Sequence, residues 1–270
     1  MEYRTLGKTN EKVSVVGMGT WKMGLSRTPA ERAKQITSLK RGLELGMTLV
    51  DTAEAYGDGK AEELVGDAIR ENRNAAFVAT KVSPGNLHRE DVLAACRKSL
   101  DRLGIRHVDL YQVHWPNPRI PIKETMGAME KLVQEGKVRY IGVSNFSAEQ
   151  TKEAREALAK NELVSNQVEY SLTNRIIESD LLPFCEREGI TVIAYSPLGR
   201  GSIPVQSIPK PIMDRYGLSP AQVALNWVTF RESVVAIPKS ARKEHTEENA
   251  GSVSVRLSQE DYGLISSQAL

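Results

Sequence analysis

Short runs of apolar and β-branched residues alternate with longer segments whose apolar positions recur every three or four residues, and the alternation continues along almost the whole chain. The strand-like runs are VVGMGTW (15–21), TLVDTA (48–53), AFVATKV (76–82), VDLYQVH (108–114), YIGVSN (140–145), NQVEY (166–170), TVIAYS (191–196) and VVAIPK (234–239). Their apolar residues follow one another instead of alternating with polar ones, as expected of strands buried on both faces. Between the runs, DVLAACRKSLDRLG places Val92, Cys96, Leu100 and Leu103 on one helical face and stops at Gly104. Capping patterns at Thr28-Pro29-Ala30-Glu31, Ser147-Ala148-Glu149-Gln150 and Ser219-Pro220-Ala221-Gln222 predict three more helix starts. Eight strand-then-helix units predict an α/β chain folded as a (β/α)8 TIM barrel, in preference to a doubly wound open sheet. Ahead of the first unit, YRTLGKTNEKVSV predicts a β-hairpin with its turn at Gly7 to Asn10, closing the bottom of the barrel. No linker, repeat or low-complexity stretch interrupts residues 1–270, so one domain is expected.

Composition changes this picture little. With 40% hydrophobic and 26% charged residues the chain reads as an ordinary folded protein. Its formal net charge of +2 is spread among interspersed acids and bases, which argues against nucleic acid as a partner. The N-terminus is polar and no apolar run approaches the roughly 18 residues a membrane span requires. A non-membrane, cytoplasmic protein is the expectation, as a monomer or weak homo-oligomer. Cys96 and Cys185 lie in helical patterns and read as buried free thiols. The four histidines lack metal-ligand spacing and no CxxC occurs, so no metal is expected.

Chemistry enters at the strand ends. In a barrel of this kind the reactive face is built from the C-terminal ends of the strands. Asp51, Lys81, His114 and Ser144 all stand there, at spacings of 30, 33 and 30 residues, close to one strand–helix unit each. Tyr56 follows in the loop after the second strand. A tyrosine hydroxyl has a reference pKa of about 10, and a nearby ammonium stabilises the phenolate, so Lys81 is expected to lower it. Asp51 would keep that lysine charged, and His114 can donate a hydrogen bond to a polarised oxygen. The set describes proton transfer to or from an oxygen atom. Trp21 and Trp115, just past the first and fourth strands, would wall a substrate pocket shared with Tyr56 and His114. Trp227, inside a capped helix, reads as core.

Ordered along the chain, GMTLVDTAEAYG (46–57), ATKV (79–82), SLDRLGIRHVDLYQVHWP (99–116), GKVRYIGVSNF (136–146), NQVEYS (166–171), IAYSPLGRG (193–201) and IPKS (237–240) followed by EEN (247–249) resemble the aldo-keto reductase family. The resemblance runs from about residue 3 to residue 265. It implies a reversible, nicotinamide-dependent reduction of aldehydes and ketones to alcohols; Lys239, Ser240 and Arg242 can hold a 2′-phosphate, so NADPH is the expected cofactor, with some use of NADH. It implies Tyr56 as general acid, Lys81 and Asp51 tuning it, and His114 orienting the carbonyl. It further implies that Ser144, Asn145 and Gln167 hold the nicotinamide carboxamide and that Tyr195 stacks on the ring. The other cofactor contacts it implies are Gly19, Thr20 and Trp21, then Ser196, Pro197, Leu198, Gly199 and Gly201 after the seventh strand. The last group is Ile237, Pro238, Lys239, Ser240, Arg242, His245, Glu248 and Asn249 around and after the eighth.

Two features depart from the family pattern. His245 stands where many members carry arginine, which points to a moderate grip on the adenosine phosphate. The chain also stops soon after LSQEDYGLISSQAL, where many relatives continue into a loop over the substrate, so an open pocket and a broad substrate range are expected. Two other readings keep the barrel: a cofactor-binding regulatory subunit with little turnover, and a phosphate-handling isomerase or lyase.

Overall fold

The computed structural model describes residues 1–202 and 208–268. Strands β1 (Tyr3–Thr5) and β2 (Lys12–Ser14) pair antiparallel, with Arg4 opposite Val13. Eight parallel strands follow in sequence order around one sheet: β3 (Met18–Gly19), β4 (Leu49–Asp51), β5 (Phe77–Val82), β6 (Val108–Val113), β7 (Val138–Ser144), β8 (Leu163–Glu169), β9 (Thr191–Tyr195) and β10 (Val234–Ala236). The sheet closes on itself between its first and last strands, where Gly17 donates to the Ala236 carbonyl (2.8 Å), Ala236 to that of Val15 (2.9 Å) and Gly19 to that of Pro238 (3.1 Å). A β-carbon on Gly19 would lie 2.7 Å from the Ile237 carbonyl oxygen, so this seam needs a residue without a side chain. Of the run VVGMGTW only Met18–Gly19 joins the ladder to β4, while Val15 and Gly17 give backbone groups to the seam.

Helices α1 (Pro29–Glu44), α2 (Lys60–Ile69), α3 (Arg89–Leu103), α4 (Ile122–Gln134), α5 (Ala148–Glu156) and α6 (Leu181–Glu188) follow β3 to β8 in turn. Helices α7 (Lys210–Tyr216) and α8 (Pro220–Val228) follow β9, and α9 (Lys243–Gly251) and α10 (Gln259–Gln268) follow β10; residues 269–270 of the C-terminal helical pattern lie outside the described residues. Helix α3 ends at Gly104 in the left-handed conformation, as its pattern predicts. The capping boxes of Ser147 and Ser219 are complete. That of Thr28 is half formed, because the Glu31 carboxylate turns to the Arg27 amide at 2.7 Å instead of the Thr28 amide.

Strand parity divides the apolar residues into two cores. Outward positions such as Val50, Val78 and Tyr111 meet the helices, while Leu49, Phe77, Leu110, Ile193 and Val235 fill the barrel interior. Leu6 and Val13 of the hairpin complete the inner cluster from below. Arg4 fastens that plug by donating to the carbonyls of Val234 and Thr229, each at 2.6 Å. Above the apolar layer the interior turns polar, with Asp51, Lys81, Gln112 and Gln167 all buried. Trp227 is buried in the outer core, and its indole N–H donates to the Ser266 hydroxyl (2.8 Å), tying α8 to α10. Cys96 and Cys185 are buried free thiols, pushed up to about 12 by burial. No helix among the described residues is long and apolar enough to cross a membrane.

Candidate active site

A cleft of about 900 Å³ opens at the C-terminal ends of the strands, within the size range of small-ligand sites. Its floor carries the residues that the strand-end spacing singled out. The buried Lys81 ammonium donates to Asp51 Oδ2 at 2.7 Å and to the Thr52 carbonyl at 2.9 Å, and its third contact is the Tyr56 hydroxyl at 3.3 Å. Lys81 stands on β5 two residues beyond Ala79, the ladder partner of Asp51, and its long side chain reaches the carboxylate from there. The Tyr56 ring meets the His114 imidazole edge-on, with centroids 5.6 Å apart and planes at 75°. The loop that carries Tyr56 is clamped from the side, since the Glu54 carboxylate accepts from the Ser83 amide (2.6 Å) and Asn86 Nδ2 (2.9 Å).

Burial sets the electrostatics of this group. Burial alone favours a neutral amine at Lys81, but the charge of Asp51 wins and holds its pKa above the ordinary lysine value. Tyr56 corrects an expectation from the sequence. Burial raises its pKa by more than the Lys81 ammonium lowers it, and the hydroxyl sits above the ordinary tyrosine value. Burial, and then the charge of Lys81, depress His114 to about 3, so its imidazole is neutral at physiological pH and keeps one N–H to donate.

At the next strands Ser144 Oγ donates to the Gln167 carbonyl (2.8 Å), and Asn145 Nδ2 donates to the His114 carbonyl (3.0 Å) and to Ser144 Oγ (3.0 Å). The Tyr195 hydroxyl donates to Asn145 Oδ1 at 3.0 Å. Gln167 Nε2 donates to Asp51 Oδ1 at 2.7 Å, which joins this cluster to the Lys81–Asp51 pair.

Most of the other expected residues surround the same space. Gly19, Trp21, Trp115, Ser196, Pro197, Leu198, Gly201, Ile237, Pro238, Lys239 and His245 line the cleft, as does Thr20, whose hydroxyl donates to the Asp51 carbonyl at 2.9 Å. Gly199 lines a neighbouring hollow with Glu169 and Thr173. Ser240 spends its hydroxyl on the backbone of Arg242, and the Arg242 side chain is exposed ahead of α9. Glu248 accepts from the Ser219 hydroxyl at 2.6 Å, on the side of α9 that faces α8, and Asn249 is buried in the same helix.

Three lining residues were not singled out from the sequence: Lys22, Ala55 and Arg200. Lys22 and Arg200 adopt positive φ (62° and 57°), as do Asn145 (62°) and Ser196 (49°). Of the five non-glycine residues with this conformation among the described residues, these four line one cleft, and such strain concentrates where a backbone must be held for a ligand.

The charges of the cleft suit an anion. Asp51 is the one acidic residue lining it among the described residues and is already paired with Lys81, whereas Lys22 and Lys239 are cationic and Arg200 is held by Glu169 at 3.4 Å. Burial, and then repulsion from the Lys22 ammonium, lower the pKa of Lys239. A bound anion would supply the missing negative charge.

Comparison with known proteins agrees with this geometry. Residues 15–269 match the model of the aldo/keto reductase family. The chain is 39% identical over 255 residues to methylglyoxal reductase YeaE of Escherichia coli, covering 93% of this chain and 89% of that one. Among solved structures it is similar to the thermostable aldo-keto reductase Tm1743 in complex with the inhibitor epalrestat, with a TM-score of 0.94, 39% identity and coverage of 99% and 100%. It is also similar to an aldo/keto reductase of Klebsiella pneumoniae in complex with NADP and acetate, with a TM-score of 0.89, 38% identity and coverage of 97% and 93%. The closed parallel barrel, the buried lysine–aspartate pair beneath a tyrosine and the cationic cleft thus belong to a member of the aldo-keto reductase family, an NAD(P)H-dependent oxidoreductase.

Proposed function

We propose that the enzyme reduces aldehydes and ketones with NADPH and that Tyr56 is the acid that protonates the carbonyl oxygen. The observation that carries the reading is the Tyr56 hydroxyl, held 3.3 Å from a buried lysine ammonium and beside a neutral imidazole at the floor of the cleft. A raised pKa keeps the tyrosine protonated at neutral pH, and the adjacent Lys81 charge stabilises the phenolate left after transfer. Asp51 holds Lys81 charged and in place, and His114 donates its one N–H to the carbonyl oxygen, which fixes the substrate against Tyr56. When bound, the reduced nicotinamide supplies the hydride. Ser144, Asn145 and Gln167 would hold its carboxamide, Tyr195 its ring, and Lys239 with His245 its adenosine phosphate.

The substrate side is open. Trp21 and Trp115 present indole rings 45% and 48% exposed at the rim, an arrangement that favours apolar or aromatic carbonyl compounds and a broad range. The name of the Escherichia coli relative adds a small α-ketoaldehyde, methylglyoxal, to the substrates worth assaying. The test follows the disappearance of NADPH over a panel of aldehydes, ketones and sugars, for the parent and for Tyr56→Phe. General acids contribute about 10²–10⁴-fold, so the variant should lose that much turnover while its affinity for NADPH stays within a factor of about two. A variant that keeps more than half of the parent rate under chemistry-limited conditions removes Tyr56 from this role. No turnover by the parent with any carbonyl favours the regulatory-subunit reading, and product without NADPH consumption favours an isomerase or lyase.

A further inference from the structure

Asp51 has a neighbour that the proposed mechanism does not use. Gln112 on β6 points into the barrel two residues before His114 and is fully buried, with its amide against the Asp51–Gln167 contact. Its Nε2 lies 3.4 Å from Asp51 Oδ1, and Gln167 Nε2 lies 3.5 Å from its Oε1. The same carboxylate oxygen therefore has one short donor, Gln167 at 2.7 Å, and one longer donor behind it.

The surroundings show that this side chain has space made for it. Gly142 faces it from β7, where an added β-carbon would lie 3.1 Å from Gln112 Cγ and 2.5 Å from Ser165 Oγ. The Ser165 hydroxyl is itself buried without a hydrogen-bond partner. One turn of the strand pleat lower, the interior is filled by Leu49, Phe77, Leu110, Ile193 and Val235. A leucine or methionine at position 112 would extend that layer and avoid burying an amide on long hydrogen bonds, so packing alone does not account for the glutamine.

We infer that Gln112 is a positioning residue for Asp51: it holds the carboxylate in line with Lys81 when the Gln167 amide is turned to the cofactor. The inference rests on the proposed roles of Gln167, Asp51 and Tyr56. An amide has two N–H groups, and Gln167 places one of them on Asp51. Once Gln167 also serves the carboxamide, Gln112 remains as the second donor to the same Asp51 oxygen. Its N–H dipole directs positive charge toward Asp51, in a cluster whose other titratable members are Lys81, Tyr56 and His114.

Gln112→Met keeps the length of the side chain and removes the amide. The measurements are NADPH affinity, the KM for an aldehyde, kcat and its pH profile under chemistry-limited conditions, with Tyr56→Phe as control. The expected result is a loss in kcat of about tenfold, the kinetic equivalent of one hydrogen bond to a charged group. NADPH affinity should stay within about twofold, and the alkaline limb of the profile should move to higher pH, because losing positive potential near Tyr56 disfavours the phenolate. If Gln112→Met does not fold, Gln112→Leu gives the same readings, since it too removes the amide and extends the apolar layer below. A parent-like kcat and pH profile, with any change confined to thermal stability, overturns the inference. If Tyr56→Phe also keeps parent turnover, the catalytic reading itself has failed; if only Gln112→Met does, the reading stands and the positioning role falls.

Discussion

Replacing Asp51 with asparagine keeps the shape of the side chain and removes the one charge that compensates Lys81. The ammonium is 0% exposed and the carboxylate 2%, so solvent cannot take over. Breaking a buried pair from one side costs about 3–5 kcal/mol, because the remaining charge is stranded. Lys81 retains the Thr52 carbonyl and the Tyr56 hydroxyl as partners and can shed its proton, which places the expected loss near the lower bound, about 3 kcal/mol. Unfolding entropy near 2.1 cal/mol/K per residue gives roughly 0.6 kcal/mol/K for a chain of this length, so Tm should fall by about 5 °C. Lys81→Met strands the carboxylate in the same way, and the double variant Asp51→Asn/Lys81→Met should cost less than the sum of the two by about 1–3 kcal/mol. The penalty also has a sign in pH. The folded pKa of Lys81 lies above its unfolded value, so the pair's contribution is fully present below about pH 10 and is lost as pH rises through the folded value. Calorimetry of the four proteins at neutral and alkaline pH measures all of this. A melting temperature for Asp51→Asn within about 1 °C of the parent, or an additive cycle, would refute the claim that the pair is tightly coupled.

Two further expectations follow from the charges around the cleft. With the folded pKa of His114 at about 3, the unfolded imidazole binds its proton first, so stability should fall as pH drops below about 6.5 and keep falling toward 3. Between pH 7.5 and 5 the loss is about 1–2 kcal/mol, and His114→Gln should flatten it in urea unfolding; an unchanged slope would show that the imidazole titrates in the native state. Lys239 lines the cleft, whereas the Arg242 side chain stands exposed at the start of α9. Lys239→Ala should therefore raise the KM for NADPH several-fold while barely moving that for NADH, and Arg242→Ala should do so more weakly; equal effects on both cofactors would show that these side chains do not read the additional phosphate.

The barrel was legible because its signal is periodic. Strands buried on both faces, helices with capping residues and polar side chains recurring at about 30 residues all follow from local rules, and Asp51, Lys81, His114 and Ser144 come together accordingly. Gln112 was not singled out from the sequence; its parity with His114 put it on the inner face, but only the structure shows what it faces. Lys22 and Arg200 were not, since nothing in either residue type announces a positive φ. At the end of the chain spacing was silent: Glu248 and Asn249 entered only through the resemblance, and which face of α9 meets α8 depends on how the helix rotates against its neighbour, with Glu248 accepting from Ser219. The half-formed cap at Thr28 has the same origin, a choice between two amides one residue apart.

The ionisation of Tyr56 could not be read from spacing, and it bears on the direction in which the enzyme works. Two effects of different range oppose each other there: a single ammonium at 3.3 Å favours the phenolate, and the loss of water around the ring favours the phenol. From the sequence only the first is visible, because it needs one neighbour, whereas burial is a property of the assembled cleft. In the structure burial wins. Under the proposed role, reduction consumes a proton from Tyr56 and oxidation of an alcohol requires Tyr56 to accept one. A tyrosine held above its ordinary pKa is almost wholly protonated at neutral pH, so reduction should run at full rate through neutrality and decline only in strongly alkaline solution. Oxidation should rise about tenfold per pH unit over the same interval, in proportion to the phenolate fraction, until it meets the same pKa. Initial rates in both directions across the alkaline range, with NADPH and aldehyde in one and NADP and alcohol in the other, check this. A common plateau for both directions at neutral pH would mean that Tyr56 already shares its proton there, and that the Lys81 charge outweighs the burial of the ring.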